Sequence, residues 1–257
     1  MAEKRRVAVV GHRGVFGSLL VRELSRDFEV VRDFEGAYAV ACAAGPFQKL
    51  DRGMVREAVS AGAHWLDIAD DAGWFFDLLD DTALNELAIQ KGVAVIPGLS
   101  SLPTISGALV RKLGAKKVAI TLEINNANRK GAAAMASAAQ FNPPDNELHR
   151  RELGVEAETR VKFELPFAKP MLRLLGMVPM NARIQATKLI SKLPLRFGKE
   201  GGAVEVRGDG KVVRAEAKDQ RFAVLPLVYA LHRLNGLKGC LSPTVFATDE
   251  LLRFVTQ

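Results

Sequence analysis

The sequence predicts an α/β fold built on a parallel sheet, with a second, smaller α+β region behind it. Three observations carry this. The first hundred residues alternate short buried runs with amphipathic stretches. A glycine-rich turn follows the first apolar run directly. Beyond about Gly114 the pattern changes to longer alternating segments and a hairpin signal.

The elements can be justified in order. Val7-Ala8-Val9-Val10 is a buried run that stops at Gly11. Ser18 to Ser25 carries Leu19, Leu20, Val21 and Leu24 at helical spacing. Phe28 to Arg32 reads as a short edge strand or a loop. Tyr38 to Ala44 is a second buried strand, stopped by Gly45-Pro46. Phe47 to Ala61 places Leu50, Met54, Ala58 and Ala61 on one helical face, and His64 to Ile68 is a third strand. Trp74 to Gln90 reads as one long helix closed by Gly92, and Val93 to Ile96 is a fourth strand ended by Pro97-Gly98. Such strand-helix-strand units build parallel sheets with right-handed crossovers.

Lys117 to Asn125 then reads as a strand, Gly131 to Gln140 as an Ala-rich helix, and Val155 to Leu165 as a half-buried strand. Ala203 to Val206 and Lys211 to Ala217 flank Gly208-Asp209-Gly210, which marks a hairpin in a more antiparallel region. Arg221 to Asn235 returns to a helical pattern, expected to pack back on the first domain. The predicted division is residues 1–115 as a nucleotide-binding domain, 116–220 as an α+β substrate or dimerisation domain, and 221–257 as C-terminal helices.

Composition bounds the function. Of 257 residues, 48% are hydrophobic, enough for one large or two modest cores. Cys42 and Cys240 stand far apart without metal-type spacing, so neither a disulfide framework nor a metal site is expected, and a reducing compartment fits. The stretch from Gly92 to Val110 is uncharged but interrupted by Pro97, Gly98, Pro103 and Gly107, so it reads as no membrane helix. A cytoplasmic, soluble protein is expected. The net charge of +7 is concentrated: residues 167–199 hold seven basic residues and no acidic one. That localisation argues for a local anionic partner and against general nucleic-acid binding. One reading of the segment is a membrane-surface or acyl contact, since Leu189, Ile190 and Leu193 share an apolar face. The other is an ordinary amphipathic helix serving a dimer or interdomain contact, and a homodimer is expected.

The glycine turn carries the chemistry. Gly11, Gly14 and Gly17 follow a buried strand and open a helix, spaced G-x-x-G-x-x-G. Glycine at the strand end permits a tight turn, one in the middle lets backbone approach a pyrophosphate, and one in the first helical turn allows close packing. The helix N-terminus offers free N–H groups and partial positive charge to phosphate. The alternative is a tight strand-helix turn without a ligand. Only Arg26 to Ala37 separates the first helix from the strand at Tyr38, which leaves no room for a second crossover. The sheet is therefore expected to be Rossmann-like with a shortened adenosine half. Arg13 and Arg32 are candidate readers of a 2′-phosphate and favour NADP, whereas Asp33 would favour NAD.

Four segments together resemble the saccharopine dehydrogenase-like oxidoreductases: Gly11-His12-Arg13-Gly14-Val15-Phe16-Gly17, Ala43-Ala44-Gly45-Pro46-Phe47, His64-Trp65-Leu66-Asp67-Ile68-Ala69-Asp70-Asp71 and Pro97-Gly98-Leu99-Ser100-Ser101-Leu102-Pro103. The likeness covers roughly the first 110 residues. It implies a Rossmann domain, a second α+β domain and hydride transfer with a nicotinamide cofactor on a small substrate. It further implies that Gly11, Arg13, Gly14, Val15, Phe16 and Gly17 hold the pyrophosphate, and that Ala44, Gly45 and Pro46 lie along the nicotinamide side. The Leu-Ser-Ser that follows Gly98 departs from the family pattern, so the founding enzyme's amino-acid substrate does not carry over.

Asp67, Asp70 and Asp71 fall at the carboxyl edge of the third strand, where open parallel sheets bind ligands. Crowded carboxylates there can raise one another's pKa and supply a proton. Asp67 is the candidate for substrate or proton handling, while Asp70 and Asp71 suit a helix N-terminal cap. His12 and His64 suit structural hydrogen bonds, and Ser100 and Ser101 suit loop backbone contacts. Two competing functions stand beside the oxidoreductase: a non-catalytic nucleotide-binding or structural family member, and a peripheral membrane protein acting on a lipid or acyl substrate.

Overall fold

The structure is a computed structural model, described here for residues 3–126, 142–163, 177–179, 182 and 198–257. Its first layer is a six-stranded sheet in the order β2-β1-β3-β4-β5-β10, parallel throughout. The strands are β1 (Arg6–Val10), β2 (Glu29–Val31), β3 (Ala39–Cys42), β4 (His64–Asp67), β5 (Ala94–Ile96) and β10 (Gly239–Cys240). All four residues of β3 and of β4 are buried, as expected of central strands covered on both faces.

Helix α1 (Val15–Leu24) presents Leu19, Leu20 and Leu24 to this core. The chain between α1 and β3 makes only the three-residue edge strand β2, paired in parallel with β1. Among the described residues no further strand lies beyond it, so the described sheet ends one strand earlier than the classical doubly wound order.

Two helices differ from the sequence expectation. The stretch from Phe47 begins as a short 3-10 turn, Phe47–Lys49, and the α-helix α2 starts only at Gly53 and runs to Ser60. Asp51 explains the interruption, because its carboxylate accepts the Gly53 N–H at 2.9 Å and holds the chain in a turn. The expected single helix from Trp74 to Gln90 is two: α3 (Ala72–Leu79) and α4 (Thr82–Lys91). Asp81 stops the first and caps the second, accepting the Leu84 N–H at 2.9 Å. A hydrophobic period that survives a two-residue break hides that break from pattern reading. Gly92 ends α4 in the left-handed region at φ 70°.

After β5 the chain makes a wide turn over Ser101–Ile105 and enters α5 (Ser106–Leu113). A second, four-stranded sheet follows in the order β7-β6-β8-β9. Its strands are β6 (Lys117–Asn126), β7 (Glu156–Phe163), β8 (Gly198–Gly208) and β9 (Lys211–Ala217). β6 runs parallel to β7 and antiparallel to β8, so the sheet is mixed. The parallel pair arises because the chain returns through helix α6 (Asp145–Leu153). β8 and β9 are joined by Asp209 and Gly210, both at positive φ (49° and 70°), the type I′ hairpin geometry that the Asp-Gly pair favours. Val118, Ile120, Val204, Val206 and Ala215 bury one face of this sheet. Glu123, Lys162 and Arg214 pair on the other, at 2.9 and 2.6 Å from the shared carboxylate.

Helix α7 (Leu225–Leu231) lies against α1, where Arg221 just before it approaches the buried Glu23 at 3.8 Å. The chain then adds β10 beside β5, two residues too short for any sequence pattern, and closes with α8 (Asp249–Val255). Gly131 to Gln140 and nearly all of 167–199 lie outside the described residues. Among those described, no helix is long and apolar enough to cross a membrane.

Candidate functional site

The glycine turn sits at the carboxyl end of β1, against the neighbouring strand end. Gly11 adopts φ 81°, and a Cβ there would stand 2.8 Å from the Ala44 nitrogen and 2.9 Å from the Ala43 carbonyl carbon. A Cβ on Gly17 would fall 2.0 Å from the Gly11 oxygen. Packing alone therefore demands these two glycines. Gly14 differs. Its backbone is ordinary, at φ −73°, and a Cβ would meet only the Gly11 oxygen, at 3.1 Å. It is also exposed and occupies the N-cap position of α1 with no side chain capping the helix. The first-turn N–H groups of Val15, Phe16 and Gly17 thus face a glycine with no side chain to satisfy them.

An uncapped helix start of this kind can accept a phosphate on its free N–H groups. The Ala43-Ala44-Gly45-Pro46 segment lines its other side, with Gly45 exposed and nothing within 4 Å of where its Cβ would be. The open space beside Gly45 and the uncapped α1 lie on one edge of the sheet, beyond the carboxyl ends of β1 and β3. The residues present fit a nicotinamide dinucleotide there. Arg13 is exposed on the turn and Arg32 is exposed just beyond β2. His12 is half-buried, and its Nε2 is enclosed without a hydrogen-bond partner among the described residues.

Asp67 departs from its expected role. It is completely buried, and four N–H groups converge on it. Oδ1 accepts from Ala69 and Gly98 backbone N–H groups, each at 3.0 Å. Oδ2 accepts from the indoles of Trp65 at 3.0 Å and Trp74 at 2.8 Å. Burial pushes its carboxyl above the usual range, while these donors oppose that shift. With both oxygens committed and no open face, Asp67 is not a substrate or proton-handling residue. It ties β4 to α3 and to the loop after β5. The Trp-x-Asp spacing over residues 65–67 placed Trp65 and Asp67 on one face of the strand, but Trp74 and Gly98 come from elsewhere in the chain.

Asp71 is the N-cap of α3. Its Oδ1 accepts the Trp74 N–H at 2.9 Å, and its Oδ2 accepts from the Gln48 amide at 2.8 Å. Asp70 is exposed at the same edge, and its carboxyl is pushed up to about 6, first by the protein crowded around it and then by the charges of Asp71 and Asp145. His64 is structural: its Nδ1 accepts the Ala94 N–H at 2.9 Å, and burial holds its pKa down to about 4. Ser100 donates to the Ala223 carbonyl at 3.0 Å, again a backbone service. Cys42, at the end of β3, is buried, and its thiol is pushed up to about 12 by desolvation and then by Asp67. It offers no nucleophile at neutral pH. Among the described residues, no group of three or more His, Cys, Asp or Glu side chains could hold a metal ion.

One further cluster lies outside the residues singled out from the sequence. Asp145 and His149 on α6 are fully buried, and Ser106 at the start of α5 donates to Asp145 Oδ1. The i, i+4 spacing of Asp145 and His149 was legible. Their burial depended on α5.

No protein-family model matches the chain, and no curated protein sequence matches it. Solved structures do. An engineered D-amino acid dehydrogenase bound to NADP+ matches with a TM-score of 0.54 at 13% identity, covering 97% of this chain and 96% of that one. A multiply substituted meso-DAP dehydrogenase from Clostridium tetani E88, solved with DAP, matches with a TM-score of 0.52 at 15% identity, covering 97% and 96%. The C. glutamicum DAP dehydrogenase, in complex with DAP, also matches with a TM-score of 0.52, at 13% identity and coverages of 98% and 96%. These likenesses do not single out saccharopine dehydrogenase. They show that this chain has, over nearly its whole length, the fold of Rossmann-type dehydrogenases that carry a second, sheet-based domain.

Proposed function

We propose that the protein is an NAD(P)-dependent oxidoreductase that prefers NADP and acts by hydride transfer on a small substrate. The observation that carries this reading is the uncapped N-terminus of α1 behind Gly14, open beside Gly45. A ligand phosphate would satisfy the first-turn N–H groups there. In this reading the exposed Arg13 and Arg32 would meet a ribose 2′-phosphate, and Ala44, Gly45 and Pro46 would flank the nicotinamide. A structurally similar engineered dehydrogenase is bound to NADP+, which supports the cofactor choice. When bound, the cofactor supplies or accepts the hydride, and the protein positions it and shapes the local charge. The motif resemblance to saccharopine dehydrogenases and the fold likeness to DAP and D-amino acid dehydrogenases agree on this chemistry. They differ on the substrate.

Titration of the full chain with NADPH and NADH, followed by nicotinamide fluorescence, tests the reading. Saturable binding in the micromolar range, tighter for NADPH, is expected. No saturable binding of either below millimolar concentrations would overturn it. Meso-DAP, D-amino acids and L-saccharopine with NADP+ form the first substrate panel.

One observation favours a second reading. Among the described residues the sheet ends at β2, with no outer strand on the adenosine side. A nucleotide-binding protein without catalysis would keep the phosphate cradle and show cofactor binding with no turnover on any substrate.

A further inference from the structure

We propose that Asp70 is the residue that exchanges a proton with the substrate as hydride is transferred, and that the buried carboxyl of Asp145 is its positioning partner. The proposal rests on the oxidoreductase reading above.

Three acids lie past the end of β4, and the structure separates their roles. Asp67 is used up by four N–H donors. Asp71 is used up by its cap and by Gln48. Asp70 alone is exposed, and among the described residues its carboxyl accepts only from its own backbone N–H. It lies on the same sheet edge as the Ala44-Gly45-Pro46 segment, because β3 and β4 are neighbours in register from Ala39↔His64 to Cys42↔Asp67. Gln48 crosses from the β3 side to Asp71, and Phe47 packs on Trp74 with ring centroids 5.7 Å apart, so the two segments are locked together.

One backbone bond from the second region reaches this edge. The Ala72 N–H donates to the Asn142 carbonyl at 2.8 Å, which sets the start of α6 beside residues 70–72. Asp145 stands there, 0% exposed. Ser106 holds its Oδ1, whereas its Oδ2 is enclosed with no hydrogen-bond partner among the described residues. His149 Nε2 lies 3.6 Å from Oδ1, and neither of its ring nitrogens is hydrogen-bonded among the described residues. A fully enclosed carboxyl with a free oxygen requires an explanation in a folded protein. Its charge reaches Asp70, whose carboxyl is held up to about 6 by the surrounding protein first, then by Asp71 and Asp145. On the β3 side the Gln48 amide donates to Asp71, the neighbour of Asp70, at 2.8 Å. The result is an exposed acid at the carboxyl edge of the sheet whose pKa is raised toward neutrality, which suits general acid–base catalysis.

The step balances as follows. Hydride adds to the carbon of a C=O or C=N bond, and the π electron pair moves to the oxygen or nitrogen. That atom takes the proton from the Asp70 carboxyl, leaving a carboxylate that solvent reprotonates. NAD(P)H is oxidised, the substrate is reduced, and the reverse direction uses Asp70 as the base.

The test is a 13C NMR titration of the full chain labelled at aspartate carboxyl carbons, with Asp70→Asn assigning the resonance. Without ligand, the Asp70 midpoint is expected about two pH units above the ordinary aspartate value. Saturating NADP+, whose nicotinamide is cationic, should lower that midpoint by at least half a unit, and NADPH should not. Asp145→Asn should also lower it. If that variant fails to fold, Ser106→Ala, which frees the Asp145 carboxyl, should move it instead. An Asp70 midpoint in the ordinary range, or one that NADP+ leaves unmoved, overturns the assignment of Asp70. A midpoint unchanged in the folded Asp145 or Ser106 variant overturns the role of Asp145. Asp70→Asn should bind NADPH as tightly as the wild type does. Absence of cofactor binding in the wild type is the separate failure of the oxidoreductase reading and removes this proposal with it.

Discussion

The indole N–H of Trp74 donates to Asp67 Oδ2 at 2.8 Å, and through it the start of α3 is tied to the end of β4. Trp65 makes a second indole bond to the same oxygen, at 3.0 Å. A carboxylate that resembles a catalytic acid in sequence is therefore a structural hub of the sheet's carboxyl edge.

Asp67→Asn tests that role. Asparagine keeps one acceptor oxygen and turns an NH2 group toward two of the four donors. Each buried donor left without an acceptor costs about 1–3 kcal/mol. Urea unfolding should show a loss of about 3 kcal/mol. Loss of under about 0.5 kcal/mol would show that the hub is dispensable.

The three glycines should separate in two assays. Gly17→Ala places a Cβ 2.0 Å from the Gly11 oxygen, so it should prevent folding or cost several kcal/mol. Gly14→Ala meets only one atom, at 3.1 Å, and should hold its thermal midpoint within a few degrees. Its methyl group would nevertheless occupy the phosphate cradle and should weaken NADPH binding at least tenfold. Equal NADPH affinity in Gly14→Ala and wild type would mean that the cradle holds no phosphate.

Arg13→Ala and Arg32→Ala address cofactor choice. Both side chains are exposed, so stability should change by under about 0.5 kcal/mol. A charge-assisted hydrogen bond contributes about 1.5–3 kcal/mol, which corresponds to a loss of about ten- to a hundredfold in NADPH affinity. NADH affinity should stay within about twofold for Arg32→Ala. Parallel losses for both cofactors would place Arg32 away from the 2′-phosphate.

His64 predicts a pH dependence of stability. Its pKa is lowered in the folded state from 6.5 to about 4. Between those values the unfolded chain binds a proton that the folded chain does not, so stability rises with pH across this window and is lost as pH falls. The full effect is about 3 kcal/mol at pH 4 and below, by the usual conversion of pKa shift to free energy. Asn at position 64 can offer an oxygen to the Ala94 N–H without titrating. The difference in unfolding free energy between wild type and His64→Asn should therefore change across pH 4–6.5 and be flat above pH 7.5. A pH-independent difference would rule out titration of His64.

The sequence by itself determined the layers of this protein. Buried runs such as Val7–Val10 and Tyr38–Ala44, interleaved with helical faces such as Leu19, Leu20 and Leu24, read directly as a parallel sheet, because side-chain period and burial are local properties. The twelve residues from Arg26 to Ala37 were too few for a crossover, which set the shortened edge at β2. Gly11 and Gly17 were legible because their constraint comes from backbone geometry within a few residues. Only the tertiary structure decided what the acids do. Asp67, Asp70 and Asp71 fall within five positions, yet one meets indoles from two elements, one caps a helix, and one stays open beside Asp145, which lies 75 positions further along the chain. A carboxyl group's role follows from which donors and charges surround it, and those arrive from distant segments only when the sheet and α6 come together.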